Sequence, residues 1–240
     1  MSTSVSRQPM NHVPEPVARV AALMSAFPPK WSLSGGWAVD AWLGRQTRDH
    51  VDVDIAVFQD DQRAIFDHLA GWQLIAHDPQ VAGDSAEPWD GRRLVLPAHI
   101  HARSPDARRR LPDRLDAPAQ VGFSLDIQLN ERSSVDWVFS REPRITVPLR
   151  RCVRQSGWGL PTLAPEVILF YKAKEPRSHD EFDFLALLPH LTEKQRHWLR
   201  EAISLVHPTT RGCLSSPPSL RPTIGEWVSQ TDPLPAWQTP

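Results

Sequence analysis

Apolar and polar positions alternate along this chain with two distinct periods, and the change between them divides it. In VARVAALMSAF the residues Val17, Val20, Leu23 or Met24 and Phe27 recur at helical spacing, with Pro16 near the start and Pro28 beyond the end. GGWAVDAWLG reads as a turn, a short helix and a glycine stop at Gly44. HVDVDIAVF alternates strictly. Val51, Val53, Ile55 and Val57 fall on one strand face, and His50, Asp52, Asp54 and Ala56 on the other. Asp60 is placed to cap a helix in DQRAIFDHLAG that ends at Gly71. WQLIAH, RRLVLP and FSLDIQL are further strands, and VDWVFSR with RITVPL predicts a late hairpin.

From about residue 150 the period becomes helical throughout. APEVILFYKAK starts with Pro165 at the first helical position and is apolar on most sides, which predicts a buried helix. SHDEFDFLALLPHL opens on a capping box, Ser178 with Glu181, and stops near Pro189. A second box, Thr192 with Gln195, starts a helix whose stripe is Trp198, Leu199, Ala202, Ile203 and Val206. The expected organisation is an α+β domain over 14–149, a helical C-terminal domain over 150–210 and a Pro/Ser-rich tail over 211–240 that is extended or partly disordered. One domain with a helical cap satisfies the same pattern.

Composition adds mainly exclusions. Lys plus Arg number 27 against 28 for Asp plus Glu, so no bulk field favours nucleic acid, although a local basic cleft stays open. Cys152 and Cys213 match no metal or redox spacing and suit a reducing compartment. The N-terminal stretch lacks an apolar signal region, and no run approaches the roughly 20 residues of a membrane span. The expectation is a soluble cytoplasmic protein.

The candidate chemistry lies on the alternating strand. Residues two apart on a strand point the same way, with Cα atoms roughly 6.5 to 7 Å apart, so Asp52 and Asp54 can converge on one point. Two carboxylates there repel unless a cation joins them, and Mg²⁺ accepts a few carboxylates together with phosphate oxygens. Asp126, an acid between Leu125 and Ile127 on an otherwise apolar strand, would complete a two-metal set if its strand lies beside 51–57. The bland alternative is an edge strand with a solvated acidic face. Gly35 and Gly36, the second of them sixteen residues before Asp52, weigh against it. Backbone without Cβ admits a phosphate closely, and the helix opening near Trp37 turns free N–H groups toward it.

Gly-Gly, a helix, hydrophobic-Asp-hydrophobic-Asp-hydrophobic and a later hydrophobic-Asp-hydrophobic strand resemble the DNA polymerase beta-type nucleotidyltransferase superfamily. GGWAVDAWLGRQTRDHVDVDI resembles its aminoglycoside 2''-adenylyltransferase-like family, as does GLPTLAPEVILFYKAK with HDEFDFLALLPHL further on. The resemblance spans roughly residues 15 to 210. It implies a polymerase beta-like mixed sheet with flanking helices, followed by a helical domain. It implies Asp52, Asp54 and Asp126 as metal ligands, with Asp126 also a candidate base. Gly35, Gly36, Trp37, Arg48, His50 and Lys172 would form the nucleotide site, with Mg²⁺ and ATP (or another NTP) as cofactor and co-substrate. Where the family often carries Lys-Asp, this chain has His179-Asp180.

Bottom-up readings stand beside these. His50 shares the aspartates' face and suits a structural hydrogen bond to Asp52 equally well; Arg48 suits a surface charge; Lys172 stands in an almost wholly apolar helix, a poor place for a merely solvated ammonium. Asp180 and Asp183 read as first-turn caps, and Trp89 reads as core ahead of a base-stacking role. The expected reaction is nucleotidyl transfer, of AMP from ATP, to a hydroxyl of a small molecule such as an aminoglycoside. The alternatives are a toxin-like enzyme acting on tRNA or protein, to which Arg108, Arg109, Arg110 and Arg114 would contribute, and a non-catalytic nucleotide-binding module.

Overall fold

The computed structural model describes residues 13–78, 86–105, 123–174, 176–206, 224 and 227. The tail after Pro208, apart from Ile224 and Trp227, lies outside them, as do Cys213 and the arginine run at 108–114. The chain forms two compact units dividing between Ala164 and Pro165.

The N-terminal unit is built on a mixed sheet. Its strands are β1 (Trp31–Leu33), β2 (Val53–Phe58), β3 (Gln73–His77), β4 (Ala86–Pro88), β5 (His99–Arg103), β6 (Ser124–Arg132), β7 (Asp136–Val138), β8 (Thr146–Pro148), β9 (Val153–Gln155) and β10 (Pro161–Leu163). They lie in the order β4-β3-β5-β6-β2-β1-β10-β9, and β7 leaves the far end of β6 to pair with β8 as the expected hairpin. β2 and β6 run parallel over six registered pairs, from Val53 with Leu125 to Phe58 with Asn130. Helices α1 (Glu15–Met24) and α2 (Gly35–Leu43) pack against β2, and α3 (Gln62–His68) follows a single 3-10 turn at 59–61. Val17, Val20, Leu33, Ile55, Ile100, Leu125 and Ile127 are fully or almost fully buried between these layers. Such burial contributes roughly 1.5–3 kcal/mol for each large side chain. The unit runs past 150 because, after the short helix α4 (Leu149–Cys152), residues 153–163 return to the sheet: β10 pairs with β1 and β9 with β10.

Four local expectations differ from the fold. β2 begins at Val53, and Val51 is 97 % exposed, because the chain enters the strand from a bend at 51–52. Asp60 caps nothing; its carboxylate faces Arg93 and Arg132 instead. RRLVLP is not a strand. Leu94 is buried with its backbone held by the Gln62 side chain, which accepts from Leu94 N–H (2.6 Å) and donates to its carbonyl (3.3 Å), replacing a ladder partner. The sheet's next strand is β5, two residues beyond that segment.

The C-terminal unit comprises α5 (Pro165–Lys172), α6 (Ser178–Leu187) and α7 (Glu193–Val206), with α5 packed on both others. The fourth difference lies here: α6 is capped one residue early. The Asp180 carboxylate accepts from the Arg177 backbone N–H at 3.1 Å, so the box is Arg177–Asp180 and not Ser178–Glu181. The α7 box forms as read, with Thr192 N–H donating to Gln195 Oε1 at 2.9 Å.

Lys172 ties these helices together. Its Nζ lies 3.0 Å from Asp180 Oδ1 and 2.7 Å from Asp183 Oδ2, all three side chains being nine-tenths or more buried. Burial alone would raise the Asp180 carboxyl, but hydrogen bonds from Arg177 and Lys172, with the Lys172 charge, outweigh it and lower the pKa to about 2. A folded pKa below the unfolded value means that Asp180 stabilises the fold above about pH 4, a contribution lost as pH falls toward 2. Lys172→Met strands Asp183 in the interior without its cation. It is expected to cost about 3 kcal/mol in urea unfolding. A stability unchanged within error would show the triad to be slack.

Candidate functional site

The site grows from the meeting of β1, β2 and β6. β1 runs antiparallel to β2 with Leu33 opposite Ile55, so the chain leaving β1 passes beside Asp54, and Ser34 N–H donates to the Asp54 carbonyl at 3.0 Å. Gly35 then adopts φ +60, and a Cβ there would overlap the Asp54 carboxylate. The glycine is bare because an acid fills the space its side chain would need. A Cβ on Gly36 would collide with His50 Nδ1 and Arg48 Nη2. The paired glycines and the two residues from TRDH thus lie in direct apposition, with Gly35–Leu43 leading away as α2.

On the other side of β2, Asp54 is registered with Asp126 of β6. Partners in register project to the same sheet face, so these two carboxylates sit side by side. Gln128 Nε2 donates to Asp54 Oδ1 at 3.1 Å. Asp126 Oδ1 is buried and accepts no hydrogen bond from any described residue, its nearest basic neighbour being His101 Nδ1 at 3.8 Å. Burial, then the charge of Asp52, push the Asp126 carboxyl up to about 7 against a hydrogen bond from Ile127 N–H. Asp52 is half-buried in the bend just before β2. The three acids are not drawn to one point: among the described residues, only His77, His99 and His101 have ligating atoms mutually within 4.8 Å.

His50 is held by a residue the sequence reading passed over. Its Nε2 lies 2.6 Å from Oδ2 of Asp40, a completely buried acid on α2, while Asp40 Oδ1 accepts from Thr47 N–H at 3.1 Å and from the Thr47 hydroxyl. An ionised carboxylate only accepts, so Nε2–H donates and Nδ1 is turned toward Gly36. The sequence did hold a signal: Asp40 is the one acid in an otherwise apolar nine-residue helix. Trp37 is buried, its ring centroid 4.3 Å from that of His50. Arg48 Nη1 donates to the Asp49 carbonyl at 3.1 Å. Ser34 Oγ is buried with no partner among the described residues. Trp89 is core, edge-on to Phe66 with Nε1–H donating to the Arg92 carbonyl. Lys172 belongs to the other unit, engaged as described above.

Asp126 gives the site a pH signature. Its folded pKa lies above the unfolded value near 4, so ionising it opposes folding, and stability declines as pH rises from about 4 through 7. Asp126→Asn is therefore expected to raise the Tm of the metal-free protein by several degrees at pH 8 and by less than half as much at pH 5. Equal shifts at both pH values in calorimetry would contradict a buried, charge-opposed carboxyl.

Residues 16–78 match the sequence profile of a family described as aminoglycoside-2''-adenylyltransferase, a span that contains Gly35, Gly36, Asp52 and Asp54. No curated protein matches the sequence. Among solved structures, the solution structure of the antibiotic-resistance factor ANT(2'')-Ia aligns at TM-score 0.52 and 15 % identity, over 81 % of this chain and 92 % of that one. The lincomycin-bound lincosamide adenylyltransferase LnuA aligns at 0.49 and 16 %, over 73 % and 96 %. ANT(2'')-Ia in complex with adenylyl-2''-tobramycin aligns at 0.44 and 18 %, over 79 % and 95 %. Among the described residues, no helix is long and apolar enough to cross a membrane. The profile match covers the glycine turn and the acidic strand, and the fold around them is similar to that of the nucleotidyltransferase ANT(2'')-Ia.

Proposed function

We propose that the protein transfers AMP from ATP to a hydroxyl of a small-molecule acceptor, and that the acceptor is an aminoglycoside. The observation that carries this reading is the pairing of Asp54 with Asp126 across β2 and β6, with Gly35 pressed against Asp54. Such an arrangement is costly for folding and suited to holding a phosphate-bound dication.

The residues fit Mg²⁺. Asp52, Asp54 and Asp126 supply hard oxygen donors, and the buried Oδ1 of Asp126 accepts no hydrogen bond among the described residues. Mg²⁺ on these acids would neutralise the triphosphate and lower the pKa of the acceptor hydroxyl. Around it, Gly35 and Gly36 leave the backbone open to the phosphates at the start of α2, and Ser34 Oγ is a further donor there. Asp40 fixes His50 so that Nδ1 faces the same point, beside Arg48. In the reaction the acceptor oxygen forms a bond to the α-phosphorus, the bond from that phosphorus to the bridging oxygen breaks, and pyrophosphate leaves. The hydroxyl proton passes to Asp126, whose buried Oδ1 has no hydrogen-bond donor among the described residues. The family whose profile matches residues 16–78 is described as aminoglycoside-2''-adenylyltransferase, and a polycationic sugar suits the negative charge of Asp52, Asp54 and Asp126.

Incubation with α-labelled ATP, Mg²⁺ and a panel of aminoglycosides and lincosamides is expected to give a nucleotidylated aminoglycoside and pyrophosphate. Asp54→Asn should lower kcat at least about 100-fold while leaving the Tm near that of the parent. Gly35→Ala should abolish turnover and cost roughly 1–3 kcal/mol, because it forces strained backbone against Asp54. Turnover that survives Asp54→Asn would overturn the reading; label appearing on a lincosamide alone would overturn the assigned acceptor.

A further inference from the structure

We propose that His77, His99 and His101 form a second metal site, suited to a borderline transition-metal dication such as Zn²⁺ and separate from the carboxylates. The inference stands on β3 and β5 alone and does not rest on the catalytic reading.

His99 and His101 alternate on β5 and so share one face, whose opposite side carries the buried Ile100 and Ala102. β3 runs antiparallel beside it with His77 directly opposite His99, which brings a third imidazole to that face. The His77 and His99 rings stack at 4.4 Å and 3° between planes, and His101 stands edge-on to both at 4.6 and 5.1 Å. One ring nitrogen from each lies within 4.8 Å of the others, and all three residues are half-buried. Zn–N bonds of about 2.0–2.1 Å in a tetrahedron separate ligand nitrogens by about 3.3 Å, so binding draws the nitrogens together by side-chain rotations that unstack His77 from His99. His-x-His on one strand with a histidine opposite on the next supplies three ligands and leaves the fourth position open.

Core packing is a weaker account of the cluster. Half-exposed imidazoles contribute little apolar burial, and protonating any two of them in contact is unfavourable. Donor chemistry sorts the ions: imidazole nitrogen suits Zn²⁺, Co²⁺, Ni²⁺ or Cu²⁺, whereas Mg²⁺ prefers the oxygens of Asp52, Asp54 and Asp126. The two sets nevertheless adjoin. His101 is registered with Asp126 across β5 and β6, and its Nδ1 lies 3.8 Å from Asp126 Oδ1. With Nε2 on the metal, His101 Nδ1–H is directed at that carboxylate, the usual outer partner of a metal-bound histidine.

Equilibrium dialysis of untagged full-length protein at pH 7.5, in millimolar Mg²⁺, tests this with Zn²⁺ and Co²⁺. The expected result is one equivalent of Zn²⁺ bound, with the intense visible bands of tetrahedral Co²⁺ in the Co²⁺ sample and a higher Tm for the Zn²⁺ form. His77→Gln and His99→Gln, each assayed separately, should weaken binding at least about tenfold, with metal-free circular dichroism unchanged. Asp54→Asn should leave it intact. The Co²⁺ spectrum of the parent needs no variant, so a misfolded substitution does not decide the matter. No binding in excess Mg²⁺, an octahedral Co²⁺ spectrum, or binding abolished by Asp54→Asn but untouched by both histidine changes would overturn the proposal.

Discussion

Like charges held side by side in a low-dielectric setting are the constraint around which the N-terminal unit is arranged. Asp54 and Asp126 occupy matched positions on adjacent parallel strands, and Asp52 adds a third negative charge at the mouth of the same sheet face. Nothing in packing requires this. The neighbours of both acids are apolar residues pointing the other way, and serine or threonine at either position would satisfy the strand without repulsion. The surroundings hold the acids in place all the same. Six consecutive registered pairs lock β2 to β6, a bare glycine at positive φ gives Asp54 its space, and Gln128 steadies one of its oxygens.

A second layer fixes what faces the acids. Asp40 on α2 is fully buried and spends its carboxylate on His50 and Thr47, so the loop from Gly44 to the start of β2 is tied back to the helix it follows. That tie sets His50 Nδ1 and Arg48 against Gly36. The glycine turn, the helix and the acidic strand are therefore one connected device. A change in Asp40 would reach the cleft through His50 without touching it directly.

How much of this the sequence disclosed depends on the range of the interactions involved. The period-two pattern of β2, the helix stop at Gly44 and the glycine turn are local, and they were readable. Asp126 was found as an acid out of pattern in an apolar strand, but its place opposite Asp54 depends on a parallel pairing across seventy residues, which no local pattern dictates. RRLVLP misled because its apolar run matches a strand, while the Gln62 side chain satisfies the Leu94 backbone in place of a neighbouring strand. Ser178 misled because Arg177 and Asp180 compete for the same cap and also bind each other's charges. The histidines were invisible for a related reason: HIHAR was not read as a strand, and His77 joins His99 only through the β3–β5 register.

The two units use the same residue type in opposite ways, and the contrast separates structural acids from functional ones. In the C-terminal unit, Asp180 and Asp183 are as deeply buried as Asp126, but the chain provides its own cation in Lys172, and the Asp180 pKa falls to about 2. Among the described residues of the N-terminal unit no lysine or arginine is paired with Asp126, and its pKa rises to about 7. Burial raises both carboxyls; at Asp180 the charges and hydrogen bonds of Arg177 and Lys172 outweigh it, whereas at Asp126 the like charge of Asp52 adds to it. An acid whose charge is met from within the fold serves the fold. One whose charge is left unmet, at a cost in stability, is an acid waiting for a cation or a proton from outside, and beside it on the same sheet face stand three imidazoles suited to a softer ion.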